Sequence, residues 1–567
     1  MTTNATIADA FSLLSKLMDI HGENSFLAKS YSIAAYHIER LPAPLAEMPS
    51  SELHNIKGVH ASVAGKLPEL LQTGKLQLLE DFLANTPPGV LELLHIKGLG
   101  PKKIHIIWKE MDIQSMGELE YACNENRLTR YKGFGAKTQQ NVLDSIKFYN
   151  QNLGFYLYAA VEPLYEPVKQ YLENLFGKNN VLPTGDFRRQ SPVIGNLSFV
   201  INDSNENIKP KFETAYPPEL LEEKEDSLLY KLTNGLKLQL FTGKGNVFQR
   251  QFTTSASDEF LETFYQSLSQ ETLASKDFAS EEEIFEEARI PNIAPCLRET
   301  NEIITKAKTQ KLPNLITVRD IKGIIHNHSD WSDGANTIAQ MAEHLIAKGM
   351  EYLVISDHSK TAIYANGLSE DRIRAQHSLI DELNKKYAPF KIFKSIESDI
   401  LSDGSLDYNE DILNLFDLVI ASVHSNLGMN QEKAMSRLLK AIENPYTTIL
   451  GHPTGRLLLS RNGYPIDHKT IIQSCVKHHV IIEINANPHR LDLDWSWIDY
   501  AIEQGALLSI NPDAHSLVGF DDIRFGVLAA QKGGLEAKNN LSSFSRNDFE
   551  KFIAERKTSI RHDINHI

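Results

Sequence analysis

The sequence predicts a multidomain chain: an all-α N-terminal region over 1–150, an α+β middle over 151–310, and a C-terminal barrel of the (β/α)7 type over 320–567. Three observations predict it. The first third lacks extended β-branched runs and repeats a glycine-centred turn. The middle carries short strand-like runs around 197–200 and 236–240. From about residue 321, apolar strand-like runs alternate with helical stretches, and His, Asp and Glu residues recur where the strand-like runs end. A chain of 567 residues has room for this, since domains commonly span roughly 100–200 residues.

Composition narrows the class. Hydrophobic residues make up 42% and charged residues 23%, ordinary for a soluble globular protein. No apolar stretch approaches the roughly 20 residues of a membrane span. The segment Met1–Leu17 carries Asp9 and no basic cluster, unlike a signal peptide. Cys123, Cys296 and Cys475 are far apart and form no CxxC pair, which fits a reducing cytoplasm and argues against a disulfide framework or a cysteine zinc site. The net charge of -15 argues against bulk adhesion to nucleic acid and leaves local basic loops as the means of DNA binding. Bound cations would offset part of that acidity. Nothing in the sequence calls for an obligate protein partner.

In the N-terminal region, Ile7, Phe11, Leu14, Leu17 and Met18 follow helical spacing. A turn motif then recurs as Ile56-Lys57-Gly58-Val59-His60, Ile96-Lys97-Gly98-Leu99-Gly100 and Tyr131-Lys132-Gly133-Phe134-Gly135. This is the helix-hairpin-helix pattern. Glycine allows the tight turn, and the next helix offers backbone N–H groups to a phosphate. Gly58, Gly98, Gly100, Gly133 and Gly135 are therefore candidate DNA-backbone contacts, with Lys102, Lys103 and Lys137 adding charge without reading sequence. The first copy departs from the pattern, with His60 in place of the second glycine. Glycine is also common in plain αα-hairpin turns; three copies favour DNA.

The C-terminal region reads as seven strands, 321–326, 352–356, 391–396, 415–423, 447–450, 480–485 and 506–511, with helices between them such as 337–348, 370–386 and 432–442. In such barrels working groups stand at the carboxyl ends of the strands. Nine candidate metal ligands fall there or in the loops that follow: His326, His328, Asp333, His358, Glu397, His424, His452, Asp513 and His515. A lone histidine at a strand end is usually a hydrogen-bonded structural residue, as His479, His489 and Asp357 are read here. Nine in series point to a multinuclear site. Nine ligands exceed one ion and suit three, and mixed imidazole and carboxylate donors suit Mn²⁺, Zn²⁺ or Fe²⁺. Grouped divalent ions neutralise a phosphoester and acidify water, so no serine or cysteine nucleophile is required. Arg456, following His452, is the candidate phosphate contact, with Lys360 or Arg461 assisting.

The middle region adds a resemblance. Gly185-Asp186-Phe187-Arg188-Arg189-Gln190 followed by Ile194-Gly195-Asn196-Leu197-Ser198-Phe199-Val200 resembles the nucleotidyltransferase motif of family X DNA polymerases. Helix-hairpin-helix repeats ahead of such a palm, the segment 312–316 and the run Gly451-His452-Pro453-Thr454-Gly455-Arg456 extend the resemblance to the bacterial branch with a C-terminal polymerase-and-histidinol-phosphatase (PHP) domain. It implies a nucleotidyltransferase-like palm and thumb, a distorted (β/α)7 PHP barrel, all nine ligands above, and a glutamate that bridges metals. The palm departs from the family at its acids. The paired carboxylates fall on Asn196 and Ser198, and the third on Gln239. Neutral side chains hold Mg²⁺ poorly, so the expected polymerase is lost. The expected activity is that of a metal-dependent DNA phosphoesterase in repair, a 3′–5′ exonuclease or 3′-end-processing enzyme, with abasic-site incision allowed by the same pocket. The alternatives are a gap-filling polymerase with a proofreading PHP domain, a small-molecule phosphatase of the histidinol-phosphatase kind, and a DNA-bound scaffold without activity.

Overall fold

The computed structural model describes residues 3–564 apart from 42, 126, 216 and 217. It separates into two compact units, Met1–Leu153 and Gly154–Ile567.

The first unit is helical throughout its described residues. Its first helix, Asn4–His21, starts at a Thr3 capping box and ends at Gly22 in the left-handed region. Ile7, Phe11, Leu14, Leu17 and Met18 are all buried, and Phe11 meets Tyr31 of Ser25–Glu39 edge-on at 5.4 Å. The periodic stripe thus became core.

The second unit opens with a five-stranded sheet: β1 (Val181–Thr184), β2 (Leu197–Ile201), β3 (Glu219–Lys224), β4 (Ser227–Lys231) and β5 (Lys237–Thr242). Its order is β1-β2-β5-β4-β3, with β2 and β5 parallel and the other pairs antiparallel. The helix Tyr158–Phe176 packs its apolar face on this sheet. Short helices between 247 and 308 form a separate phenylalanine-rich core around Phe252, Phe260, Phe264 and Phe285.

A seven-stranded parallel sheet follows: β6 (Gly323–Ile324), β7 (Tyr352–Ile355), β8 (Lys391–Asp399), β9 (Leu418–Ser422), β10 (Thr447–Leu450), β11 (Ile481–Asn485) and β12 (Leu508–Asn511), in sequence order. A parallel bridge between Asn327 and Ala514 brings its two edges together and nearly closes a barrel. Alternation along each strand divides two cores. Tyr352, Val354, Leu418 and Ile420 join the inner core, which Phe549 and Ile553 of the helix Arg546–Ile564 help to fill. Leu353, Ile355, Val419 and Ala421 face the surrounding helices. β6 is shorter than the 321–326 run suggests, because the chain leaves extended geometry at His326, where φ is 62°.

The two parts of this unit are braced together. Lys532, buried in the helix Ile523–Lys532, pairs with Glu299 and donates to the Arg189 carbonyl at 3.0 Å. Arg524 pairs with Glu162 at 2.8 Å and Lys306 with Asp499 at 2.5 Å. Among the described residues, no helix is long and apolar enough to cross a membrane.

Candidate functional site

The nine predicted residues converge at the carboxyl end of the barrel. His326 and His328 follow β6, His358 follows β7, Glu397 lies within β8, and His424 and His452 follow β9 and β10. Asp513 and His515 follow β12, and Asp333 sits in the loop after His328. His326, His452 and Asp513 hold φ values of 62°, 22° and 54°. Non-glycine residues enter that region at a cost and remain there only when the surroundings over-determine them. Three such residues in one cluster mark a site where placement outranks backbone comfort.

Glu397 is the hub. Its Oε1 lies 3.0 Å from His424 Nε2, 3.0 Å from His452 Nε2 and 3.2 Å from His326 Nε2. Its Oε2 lies 3.0 Å from His358 Nδ1 and 3.6 Å from His328 Nε2. Asp513 Oδ1 is 3.1 Å from His328 Nε2 and 3.6 Å from His326 Nε2. Asp333 Oδ2 is 3.5 Å from His515 Nε2 and 3.8 Å from His358 Nε2. Three sets have donor atoms within 4.8 Å of one another: His328, Asp333, His358 and His515; His326, His328 and Asp513; and His358, Glu397 and His424. His452 joins through Glu397.

These residues fit metal ions. His326 Nε2, His328 Nδ1, His358 Nδ1, His452 Nδ1 and Glu397 Oε2 are buried without a hydrogen bond. Each such atom normally costs about 1–3 kcal/mol. Ligands about 2.1 Å from one ion stand roughly 3.0–3.5 Å apart, which is the spacing found here. The protonation balance agrees. Burial disfavours ionisation, yet His424, His326 and His358 hold Glu397 well below the usual carboxylate range. Burial likewise opposes the charge on Asp513, while His326 and the His328 hydrogen bond hold it well below. Against the desolvation that lowers an imidazole, Glu397 and Asp399 push His424 up to about 10. Burial and the neighbouring His515 and His358 push His328 down to about 4. Anionic carboxylates packed in the dark between imidazoles are a cation's environment.

A second layer of residues, not anticipated from the sequence, orients the first. His326 Nδ1 bonds Glu483 Oε2 at 2.6 Å, which turns Nε2 towards the cluster. Glu483 is fully buried, accepts from His452 N at 3.1 Å, and is itself held by Asn485 and Asn511. Asp399 does the same for His424 at 2.5 Å. Such carboxylate–histidine pairs fix the tautomer of a ligand. The available signal was a lone acid inside the apolar run at Glu483 and, at Asp399, an acid two positions after Glu397. Asp357 is a brace: it accepts from Ser329 N at 2.8 Å and Gln376 Nε2 at 2.6 Å, and so holds the loop that carries Asp333.

Arg456 is held by protein partners. Its Nε donates to the Arg490 carbonyl at 2.9 Å, Nη1 to Asp494 at 2.5 Å, and Nη2 to the Leu491 carbonyl. Three of its five N–H donors thus hold the 490–494 loop. Arg490 on that loop lies 3.6 Å from Asp513 Oδ2 and is the arginine at the cluster. Arg461 donates to the Gly455 carbonyl at 2.7 Å, and Lys360 pairs with Glu370 at 3.6 Å.

In the palm, Ser198 on β2 stands opposite Gln239 on β5, so the neutral substitutions are neighbours, and Asn196 immediately precedes the strand. The motif arginines are paired. Arg188 donates two parallel hydrogen bonds to buried Glu281 at 2.7 and 2.7 Å, and Arg189 donates to Asp186 at 2.8 Å and Glu299 at 3.1 Å. The Thr184 hydroxyl hydrogen-bonds the hydroxyls of both Thr254 and Ser255. The charge that would meet a triphosphate is neutralised internally.

In the helical unit the three hairpins differ. Gly98 and Gly133 adopt φ values of 87° and 93°, and Gly100 and Gly135 cap the helices Pro101–His105 and Ala136–Asn152. A Cβ at any of these four would meet nothing within 4 Å, so their backbone is open to a ligand. Lys102 and Lys137 are exposed beside them, while Lys103 folds back onto the Gly98 carbonyl at 3.1 Å. A Cβ on Gly58 would lie 2.1 Å from His37 Cδ2. The first turn is therefore packed against its own unit.

Comparison with known proteins agrees with this architecture. Residues 2–76 match the model of a helix-hairpin-helix domain. The DNA polymerase/3′-5′ exonuclease PolX of Bacillus subtilis is 34% identical over 562 residues, covering 94% of this chain and 96% of that protein. A probable phosphatase of Thermoanaerobacter sp. is 29% identical over 35% of this chain and 80% of its own length. One from Photobacterium profundum is 24% identical over 43% and 97%. The end-to-end match to the Bacillus protein, at that identity, places the chain in the bacterial family X polymerase-like proteins with a C-terminal PHP barrel, to which it belongs.

Proposed function

We propose that the chain is a metal-dependent phosphoesterase acting on DNA 3′ ends, a 3′–5′ exonuclease or 3′-end-processing enzyme of DNA repair whose palm has ceased to polymerise. The observation that carries this reading is Glu397 surrounded by five imidazoles, in a cluster where five buried nitrogen and oxygen atoms have no hydrogen-bond partner. The nine residues would hold three divalent ions, Mn²⁺ in the first place and Zn²⁺ or Fe²⁺ next. When bound, such ions neutralise a phosphodiester and bring the pKa of water towards roughly 7. The chain's own groups do the rest. Glu483 and Asp399 hold His326 and His424 in one tautomer. Arg490 offers a guanidinium to a non-bridging phosphate oxygen at the cluster. The open turns at Gly98–Gly100 and Gly133–Gly135, with Lys102 and Lys137, bind the DNA backbone without sequence preference.

The test is one gel. Full-length protein with Mn²⁺ shortens a 3′-recessed duplex labelled on its 5′ end. His326→Ala and Asp513→Ala abolish the shortening, and undiminished degradation by either variant overturns the reading. With dNTPs added, no product longer than the primer is expected, because Asn196, Ser198 and Gln239 carry no charge and Arg188 is committed to Glu281. Robust extension would restore the polymerase alternative. The barrel's likeness to proteins named as phosphatases favours one second reading, small phosphomonoester hydrolysis. It is supported if p-nitrophenyl phosphate turns over while DNA does not.

A further inference from the structure

The rim of the metal cluster carries an apolar feature that phosphate chemistry alone does not require. Among the described residues of the barrel, Ile363 and Val518 are the most exposed large apolar side chains, at 85% and 78%, and Tyr364 follows at 72%. Ile363 and Tyr364 lie five and six positions after His358, and Val518 lies three after His515. Soluble proteins rarely leave adjacent large apolar side chains this bare without a use for them.

The turn that presents them is built rather than loose. At its start, Thr361 N and Oγ1 donate to Asp407, and Oγ1 also reaches Asp399, the residue that orients His424. At its end, Asn366 takes φ 57° and donates to the Trp331 carbonyl at 3.2 Å. Gly367 passes so close to Ser359 that a Cβ would lie 1.9 Å from its carbonyl oxygen. Ala362 and Ala365 are buried on either side of the exposed pair. The Tyr364 ring sits 6.1 Å from the His358 ring, tilted by 59°. The ring thus stands beside a cluster histidine while most of the residue remains exposed to water.

A flat, sequence-tolerant contact beside a phosphoester site is what a nucleobase recognises, since every base has a π-face. We propose that Tyr364, flanked by Ile363, stacks on the base of the 3′-terminal nucleotide and so sets a preference for base-bearing over abasic 3′ ends. This rests on the 3′-end reading above and specifies its substrate.

The test uses full-length protein with Mn²⁺ and two single-stranded oligonucleotides that differ in the 3′-terminal residue, thymidine or a tetrahydrofuran abasic analogue. The readout is the ratio of initial single-turnover rates for removing the two termini. In the unaltered protein the ratio favours thymidine. Tyr364→Ala lowers it by about tenfold, in line with the worth of one stacked base, and Tyr364→Phe keeps it. A ratio unmoved by Tyr364→Ala, including equal slowing on both substrates, overturns the stacking role. Removal of neither terminus by the unaltered protein overturns the 3′-end reading itself, and the two failures are told apart by that control.

Discussion

Replacing Glu397 with glutamine lowers Mn²⁺-dependent 3′-end removal by roughly a thousandfold or more, and the purified variant carries less manganese by inductively coupled plasma mass spectrometry. The size of the effect follows from the position. Glu397 lies within 3.6 Å of five histidines, so one charge serves every part of the cluster. Glutamine keeps the shape of the side chain and removes the charge. The neighbouring imidazoles alone then face divalent cations, which anionic oxygen ligands hold far better. Because Glu397 sits on β8 with its backbone paired to β9, the fold survives the substitution. Metal content and rate should fall together. A variant with native manganese and native rate would remove Glu397 from the centre.

The largest effect on stability is expected elsewhere in the second unit. Glu281→Ala destabilises the folded state by about 3–5 kcal/mol, read from the thermal midpoint and from faster hydrogen exchange across 252–288. Glu281 is buried and accepts from both Arg188, at 2.7 and 2.7 Å, and Arg298, at 3.2 and 3.0 Å. Arg298 is 1% exposed and lies 5.0 Å from the centre of the Phe285 ring. Removing the acid leaves two guanidiniums facing each other in a low-dielectric pocket. The contribution depends on pH in a defined direction. Burial opposes the Glu281 charge, but the Arg188 and Arg298 contacts prevail and its pKa is lowered. A lowered folded value means that the stabilisation is fully present above the unfolded value of about 4.3 and is lost as pH falls below it. An alanine variant with an unchanged midpoint at neutral pH would show that the triad contributes nothing net.

Much of the barrel was legible because buried parallel strands read as continuous apolar runs. The run 447–450 is β10 residue for residue, and 370–386 anticipated the helix Glu370–Tyr387 to within one position. The nine convergent residues were legible for a related reason: strand ends in such barrels share one rim, so order along the chain becomes proximity in space. Two things were hidden. Glu483 lies inside a strand run and Asp399 just beyond one, and only the fold reveals that each faces a histidine. The arginines were hidden more deeply. Arg456 comes four residues after His452 yet serves the 490–494 loop, whereas Arg490 stands 23 positions before Asp513, which it approaches. A guanidinium has five donors and a long stem, so its partners are set by tertiary placement. The same holds in the palm, where missing acids were visible in the sequence but the new partners of Arg188 and Arg189, Glu281 and Glu299, were not.

The Lys532 contact with Glu299 and Arg189 bears on how this chain could have been assembled from older parts. A barrel cut free at residue 320 would carry a buried lysine without its counter-ion, and would bare Phe525 and Leu491, which pack with Tyr158. In this chain the barrel is therefore finished by its neighbour: the part before residue 320 supplies the other half of that surface, and its loss would be felt first in the barrel's own stability.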